Sequence, residues 1–273
     1  MSDLIRRVAK TVGQHFVTLS CVQYPPSDSP AKVLIFSGFV VDVSEEWFYV
    51  TAGHILRDIR AALASGSSFD VWRLDDQTAG NRFNGAAVPY CFDVETWLVL
   101  EDESTGLDYA AVHLDDFYRR QLEAGGTTPI GRNAWTDHVT EHDHWLLVGI
   151  PSETVEYDGE TIINARVVWS PLVPADEPAL AGDRASSQFY AAPIDGSDEF
   201  FRDADGMSGG PVFTLKKVGE HWEYGVIGVQ SAWYGTSRIF AVCPFSSFGL
   251  ALEDVVAEVR AIQSSTLGRV HRA

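Results

Sequence analysis

Short runs of apolar residues, many of them alternating with polar ones, recur along the chain and predict β-strands. In the first third they are FVTLSCVQY at 16–24, KVLIFSGFVVDV at 32–43 and EEWFYVTAGHI at 45–55, the last expected to end as a strand at His54. Turn-rich segments such as PPSDSP separate these runs. Several short strands with turn signals between them favour an all-β barrel or sandwich over an alternating βα fold.

The same pattern continues on both sides of a polar stretch at about 117–143. Before it, the expected strands are SFDVWRL, VETWLVLE and DYAAVHLD. After it, they are HWLLVGIPS, TIINARVVWSP, SSQFYAAP, GPVFTLKKV, WEYGVIGVQSAW and RIFAVCPF. The polar stretch itself contains one possible helical turn, FYRRQLEAGG, followed by loop-like sequence. This break predicts that a second β-unit begins near residue 144.

Three segments have helical rather than strand-like patterns. Residues 3–13 alternate as a short amphipathic helix, and ILRDIRAALAS at 55–65 predicts a helix that stops at Gly66. FSSFGLALEDVVAEVRAIQ predicts a C-terminal helix with an apolar stripe at Leu252, Val255, Val256, Val259 and Ile262. The expected organisation is a helical extension at 1–15, a first β-barrel at 16–125, a second β-barrel with the closing helix at 126–263, and a tail at 264–273.

Composition and charge narrow the classes of function. The 273 residues are 45% hydrophobic, which is enough for one large domain or two barrel-sized ones. The formal net charge of −18 is spread along the chain, and this argues against nucleic acid as a partner because phosphate binding needs clustered Lys and Arg. A cationic partner would be attracted to such a surface, although solubility explains the charge equally well.

Cysteine and histidine usage predicts neither disulfides nor a metal. Cys21, Cys91 and Cys243 are widely spaced, which favours reduced thiols in an intracellular protein. His138 and His142 lie with His144 near acidic residues, yet a solvated polar loop is the expected structure there. No cofactor is expected.

The sequence also predicts where the protein is found. Basic residues interrupt the N-terminal apolar pattern and no apolar run approaches ~20 residues, so we expect a cytoplasmic protein with no membrane partner.

Chemistry is suggested by the segment GMSGGPV at 206–212. Glycines there allow a tight turn that exposes the hydroxyl of Ser208 and leaves backbone N–H groups free for an oxyanion, although an ordinary glycine-rich hairpin has the same composition. A serine nucleophile needs a base, and His54 follows an apolar strand into small residues. Asp108, at the start of another apolar run, is suited to orient that imidazole.

The chain order His54, Asp108, Ser208 separates two folds that use such a triad. Residues 206–210 also fit the GxSxG nucleophile elbow, but that fold needs an acidic residue and then a His after the Ser. Only His221, in a charged hairpin, and His271, in a basic tail, follow Ser208. Strands are also expected on both sides of the Ser. The elbow is therefore not the favoured interpretation.

Three blocks of the sequence resemble the chymotrypsin-like (trypsin-like) serine peptidases: TAGH at 51–54, LDYAAV at 107–112 and GMSGGPV at 206–212. The resemblance implies two antiparallel β-barrels with a site in the cleft between them. It implies His54 as general base, Asp108 as its orienting carboxylate and Ser208 as nucleophile. The N–H groups of Gly206 and Ser208 would form the oxyanion hole.

Departures from the secreted members point to the disulfide-free bacterial and intracellular branch. Met207 stands where zymogen-activated members have an Asp, so activation through a new N-terminus is excluded. Their cysteine after the catalytic His is replaced here by Ile55, and the cysteine before the Ser by Ala204.

The resemblance also suggests substrate-binding positions. Arg202 would lie at the base of a specificity pocket, unless it is a paired surface residue. Ser231 and Trp233, in GVIGVQSAW, would flank a substrate paired with that strand, unless the strand is simply buried.

The expected function is that of a serine endopeptidase acting on polypeptides, controlled by a regulatory protein partner or by loop ordering. Two alternatives stay open. One is a catalytically silent peptide- or protein-binding module on the same fold, and the other is hydrolysis of esters by the same triad.

Overall fold

The computed structural model describes residues 3–26, 29–75, 87–157, 163–179, 181, 187–194 and 201–270. The N-terminal part begins with a helix and continues as strands with two further helices. Its elements are α1 Asp3–Gly13, β1 Phe16–Tyr24, β2 Lys32–Val43, β3 Glu46–Thr51, α2 Gly53–Ala64, β4 Ser68–Asp75, β5 Val88–Pro89, β6 Leu98–Asp102, β7 Leu107–Leu114 and α3 Asp116–Gly125. These strands form one antiparallel sheet of seven strands, in the order β5-β4-β1-β2-β3-β7-β6.

The C-terminal part is a closed barrel followed by a long helix. Its elements are β8 His144–Gly149, β9 Glu156–Tyr157, β10 Ile163–Asn164, β11 Val168–Ala175, β12 Phe189–Pro193, β13 Pro211–Val218, β14 His221–Tyr234, β15 Ile239–Pro244 and α4 Phe245–Val270. Six strands close in the order β11-β12-β15-β14-β13-β8, while β9 and β10 pair separately. The prediction of an all-β fold with a C-terminal helix is confirmed. The second unit is a closed barrel, and the first is a seven-stranded sheet.

One predicted element boundary was wrong. His54 does not end a strand: β3 stops at Thr51, and His54 is the second residue of α2. The extended backbone of Ala52 ends the strand and caps the helix, so the small residues of TAGH form the junction between the two elements. The helix α4 continues through residue 270, into the segment predicted as a tail at 264–273.

The apolar stripe of α4 is only partly buried. Leu252 and Val256 belong to the core, whereas Val255, Val259 and Ile262 are exposed. Among the described side chains of the helix, the buried ones lie in its first turns, while Arg260 farther along donates to the carbonyl of Ser44 and to Glu46. The sequence periodicity therefore overstated the apolar contact area of the helix. No helix within the described ranges has both the length and the apolar character that spanning a membrane would require.

A shared apolar core joins the sheet, the barrel and the start of α4. Tyr109 of β7 stacks on Phe248 of α4 with ring centroids 4.5 Å apart, and its hydroxyl donates to the carbonyl of Pro244, 2.7 Å away. The remaining members come from both units and include Val41, Val50, Val148, Phe213, Val226, Val229 and Phe245. This continuous packing fixes the ends of α2 and β7 beside the loop that precedes β13.

Candidate active site

His54 and Asp108 form a close, partly buried pair. The Nδ1 atom of His54 lies 2.7 Å from Oδ2 of Asp108, and the side chains are 24% and 10% exposed. A carboxylate accepts hydrogen bonds, so Nδ1 carries the proton and Nε2 holds the lone pair. No described residue hydrogen-bonds to Nε2 of His54. The ring is therefore held in the tautomer that a general base requires.

The backbone of α2 explains how this pair is held. The first N–H groups of a helix have no partner within the helix, and Ala52 provides no side-chain cap. Asp108 accepts the backbone N–H of His54 at 2.7 Å through Oδ1. The same carboxylate therefore caps the helix and orients the imidazole. Gly53 favours this close approach, because a Cβ there would make a tight contact of 3.0 Å with the carbonyl oxygen of Tyr109.

The pKa values of the pair are displaced in opposite directions. Burial lowers the pKa of His54, but the hydrogen bond and charge of Asp108 raise it by more, so that the net pKa is above the usual value of 6.5. Burial raises the pKa of Asp108, and the hydrogen bond and charge of His54 lower it by more. Asp108 is thus ionised at neutral pH, and the imidazolium of His54 is stabilised when it takes up a proton.

A second layer of hydrogen bonds supports Asp108 from the barrel. The hydroxyl of Ser231 donates to Oδ2 of Asp108 at 2.9 Å. Nε2 of Gln188 donates to that hydroxyl at 3.1 Å and to the carbonyl of Gly106 at 2.7 Å. Because Gln188 supplies a proton to the Ser231 oxygen, the Ser231 proton is directed to the carboxylate. Asp108 is therefore oriented from both structural units.

The loop before β13 presents two unused backbone N–H groups. Met207 N–H donates to the carbonyl of Ala204 and Gly209 N–H to that of Gln230, whereas the N–H groups of Gly206 and Ser208 have no hydrogen-bond partner among the described residues. The hydroxyl of Ser208 likewise has none in the described part of the chain. Two adjacent free amides beside a free hydroxyl have the composition of an oxyanion site next to a nucleophile.

This loop is fixed by contacts with both units. The carbonyl of Asp205 accepts the N–H of Ser152 at 2.7 Å, which directs the N–H of Gly206 the opposite way. Ser37 of β2 accepts the N–H of Ile150 at 3.0 Å and donates to the carbonyl of Gly206 at 3.3 Å. Gly206 has a φ of +87°, and a Cβ there would collide with Ser152.

Two cavities meet at His54. The larger has a volume of about 420 Å³ and is lined by His54, Gly206 and Ser208 together with residues of β2 and α2. The smaller, of about 220 Å³, is lined by His54, Asp108, Ser231, Gln188 and the acidic residues of β6 and the turn after it. The structure therefore brings the three predicted triad residues and both predicted oxyanion donors to one place.

No hydrogen bond in the described part of the chain joins Nε2 of His54 to the hydroxyl of Ser208. In active sites of this kind such bonds are often long in the free state and tighten when substrate binds. The imidazole and the hydroxyl nevertheless share the larger cavity.

The three predicted substrate-binding residues have different surroundings, although Ser231 and Trp233 belong to the same strand. Arg202 is exposed, lines neither cavity, and its backbone N–H donates to Glu153 at 2.7 Å. The hydroxyl of Ser231 is used by Asp108. Trp233 packs on Phe240 with ring centroids 4.5 Å apart. A role of Ser231 in substrate binding would therefore have to use its backbone.

Sequence reasoning missed two supporting residues. Ser37 lies inside an apolar strand and Gln188 directly before one, so the sequence around them indicates little of their role. Their importance depends on contacts between residues 169 and 82 positions apart, respectively. A polar residue inside the continuous apolar run of β2 was the only hint of the first.

No protein-family model matches the chain, and no curated protein matches its sequence. Solved structures with a similar fold include the catalytically inactive tobacco etch virus protease complexed with substrate, at 12% identity and a TM-score of 0.42, covering 85% of this chain and 78% of that one. The catalytically active tobacco etch virus protease complexed with product is 13% identical, with a TM-score of 0.41, and the match covers 85% of this chain and 73% of that one.

Proposed function

We propose that this chain is a serine endopeptidase that hydrolyses peptide bonds through an acyl-enzyme. The proposal rests on one arrangement of side chains and backbone groups. His54, bonded through Nδ1 to Asp108, shares a cavity with the hydroxyl of Ser208 and lies beside two free backbone N–H groups. Each part of acyl transfer is thereby assigned a group: base, orienting carboxylate, nucleophile and oxyanion donors.

The chemistry proceeds in two similar halves. The oxygen of Ser208 attacks the scissile carbonyl carbon while Nε2 of His54 takes the hydroxyl proton. The N–H groups of Gly206 and Ser208 bind the developing oxyanion, and His54 then gives its proton to the departing amine nitrogen as the C–N bond breaks. Water repeats the sequence on the acyl-enzyme, which releases the acid and restores the hydroxyl of Ser208.

Activity would be controlled by changing the distance between Nε2 of His54 and the hydroxyl of Ser208. A partner or an ordered loop that brings Nε2 within hydrogen-bond distance of the hydroxyl would complete the site. The three free cysteines support a reducing compartment such as the cytoplasm.

A catalytically silent binding module is the second candidate function. It is favoured by the absence of a hydrogen bond between His54 and Ser208.

A peptide-cleavage assay tests the proposal. The protein is incubated with a mixture of synthetic peptides that together contain every pairing of residues across a peptide bond, and products are identified by mass spectrometry. We expect cleavage by the native chain and none by Ser208→Ala or His54→Ala. If the native chain cleaves nothing but binds peptides in the mixture, the binding module is the better account.

A further inference from the structure

The two cavities at His54 lie against different walls. The smaller one is bounded by residues of β14, including Ser231, Ala232 and Tyr234. The larger one is bounded by β2 and α2, and it also contains Gly206 and Ser208. A substrate whose cleaved bond lies at His54 and Ser208 can therefore extend in two directions, along β14 or into the space between β2 and α2.

The larger cavity lies on the leaving-group side if the acyl part of the substrate follows β14. An extended peptide gains backbone hydrogen bonds by pairing with a strand, and β14 offers its end next to the catalytic pair. The carbonyl oxygen must point to the N–H groups of Gly206 and Ser208. The chain beyond the scissile bond is then directed past these residues into the larger cavity.

One part of the cavity wall is apolar, beside the polar part that contains His54 and Ser208. Leu34 and Phe36 of β2 face Ile55 and Ile59 of α2, and Phe69 and Val155 complete the surface. Its volume of about 420 Å³ falls within the range of ligand-binding pockets. A side chain that fills it transfers apolar surface out of water.

Two carboxylates border the cavity, and they limit what can enter. Asp58 of α2 and Asp205 before the Ser208 loop both line it and are exposed. An acidic side chain would be repelled by both charges and would gain nothing from the apolar walls. Gln23 contributes an amide at the same cavity.

We propose that this cavity selects substrates with a large apolar side chain on the leaving-group side of the cleaved bond, within the first two residues, and rejects acidic ones. The inference rests on the proposed peptidase function and adds the substrate class. Selection then arises mainly from β2 and α2 rather than from Arg202.

Filling the cavity provides the test. Ala62 of α2 lines it, and its neighbour Ala61 is exposed on the same helix without lining it. Ala62→Trp places an indole in the space, and Ala61→Trp is the matched control. Peptides that differ only at the two positions after the cleaved bond, carrying Leu, Phe, Ala or Glu there, are compared by kcat/KM.

For the native chain we expect Leu and Phe peptides to be cleaved at least about tenfold faster than Ala peptides, with Glu the slowest. Ala62→Trp should abolish this preference while Ala61→Trp retains it. A small fluorophosphonate carries no residues beyond the reacting atoms, so labelling of Ser208 should persist in all three proteins.

Each other result is decisive in a different way. Cleavage without an apolar preference on the leaving-group side, or a preference unchanged in Ala62→Trp, overturns this inference and leaves the peptidase proposal intact. Neither cleavage nor labelling in the native chain overturns the proposed function and this inference with it.

Discussion

At the scale of single residues, Asp108 is the group on which most of the site depends. It accepts the backbone N–H and the ring Nδ1–H of His54 and the hydroxyl of Ser231. A cap for α2, an orienting group for the imidazole and a contact with the barrel are thus combined in one side chain. Substitution of Asp108 would therefore change both the pKa of His54 and the orientation of its imidazole ring.

The raised pKa of His54 predicts the pH dependence of Ser208 reactivity. The imidazole must be neutral to act as base, so reactivity rises with pH through the pKa of His54, with a midpoint above 6.5. Asp108→Asn removes the hydrogen bond and charge that raise the pKa of His54 and leaves the burial that lowers it, so the midpoint should move to lower pH. The maximal rate should fall about 10⁴-fold, because an amide favours the wrong tautomer.

Fluorophosphonate labelling rates between pH 5 and 9 measure both effects. A midpoint that is the same in the native chain and in Asp108→Asn would contradict the assigned coupling between Asp108 and His54.

Gln188 is expected to act as a positioning residue through Ser231. Gln188→Met keeps the length of the side chain but removes the amide that donates to Ser231, to Gly106 and to the sulfur of Cys243, so the Ser231 hydroxyl is free to turn away from Asp108. We expect kcat to fall about tenfold with little change in KM. In a double-mutant cycle with Ser231→Ala, the second substitution should then add little to the first. Fully additive losses would show that Gln188 acts independently of Ser231.

At the scale of elements, the loop between β12 and β13 depends on a backbone that only glycine adopts freely. Gly206→Ala would place a Cβ against Ser152 at a φ of +87°. The loop must move, and one oxyanion N–H is displaced with it. We expect kcat to fall about 10²–10³-fold, as for loss of one such donor.

Gly219→Ala is the control for this substitution. Gly219 has a φ of +61° in the turn between β13 and β14, and a Cβ there would meet no atom within 4 Å. It imposes comparable backbone strain away from the site, so it should lower the melting temperature slightly and leave kcat unchanged. Equal losses of activity in the two variants would mean that strain, rather than the oxyanion donor, explains the Gly206 effect.

Strands were predicted better than their junctions. β1 and β2 lie where the apolar runs placed them, because a largely apolar run bounded by turn residues is a local signal of a buried strand. The start of α2 was misjudged, because the backbone N–H of His54 in its first turn is satisfied by Asp108, a residue 54 positions away. The pairing that makes the first unit a sheet of seven strands is likewise non-local and leaves no signature in a short window.

At the scale of the whole molecule, His15 links the sheet to the barrel. Its Nδ1–H donates to the carbonyl of Thr128 at 2.6 Å, and its Nε2 accepts the hydroxyl of Tyr224 of β14 at 2.9 Å. Only 3% of the residue is exposed. Burial lowers the pKa of His15 to about 4, although the bond to Thr128 opposes this shift. The neutral imidazole is thus part of the contact between the two units.

This buried histidine predicts acid sensitivity. The unfolded chain binds a proton at His15 below about pH 6.5, while the folded chain does so only near pH 4, so the free energy of unfolding decreases as the pH falls between these values. The loss is on the order of 3 kcal/mol. His15→Gln should be less stable at pH 7 and should lose this part of the pH dependence.

Urea unfolding at pH 7 and pH 4.5 measures the effect. His221→Gln, at the exposed start of β14, serves as the control and should behave as the native chain does. An unchanged pH dependence in His15→Gln would contradict the role assigned to His15.

The residues that do the proposed chemistry were predictable from sequence, whereas their supports were not. Ser208 and Gly206 are marked by glycines that a local turn requires, and Asp108 by a carboxylate heading an apolar run. Ser37, Gln188 and the cavity between β2 and α2 arise only when the units pack together. Arg202, chosen by resemblance alone, lines neither cavity at His54.

The most direct test of the central claim is to locate the residue that a fluorophosphonate probe modifies. After labelling at pH 8, intact-mass measurement and peptide mapping should show a single adduct on Ser208. Ser208→Ala should show none while keeping the circular dichroism spectrum and melting temperature of the native chain. An adduct on another residue, or labelling that persists in Ser208→Ala, would contradict the assignment of Ser208 as nucleophile.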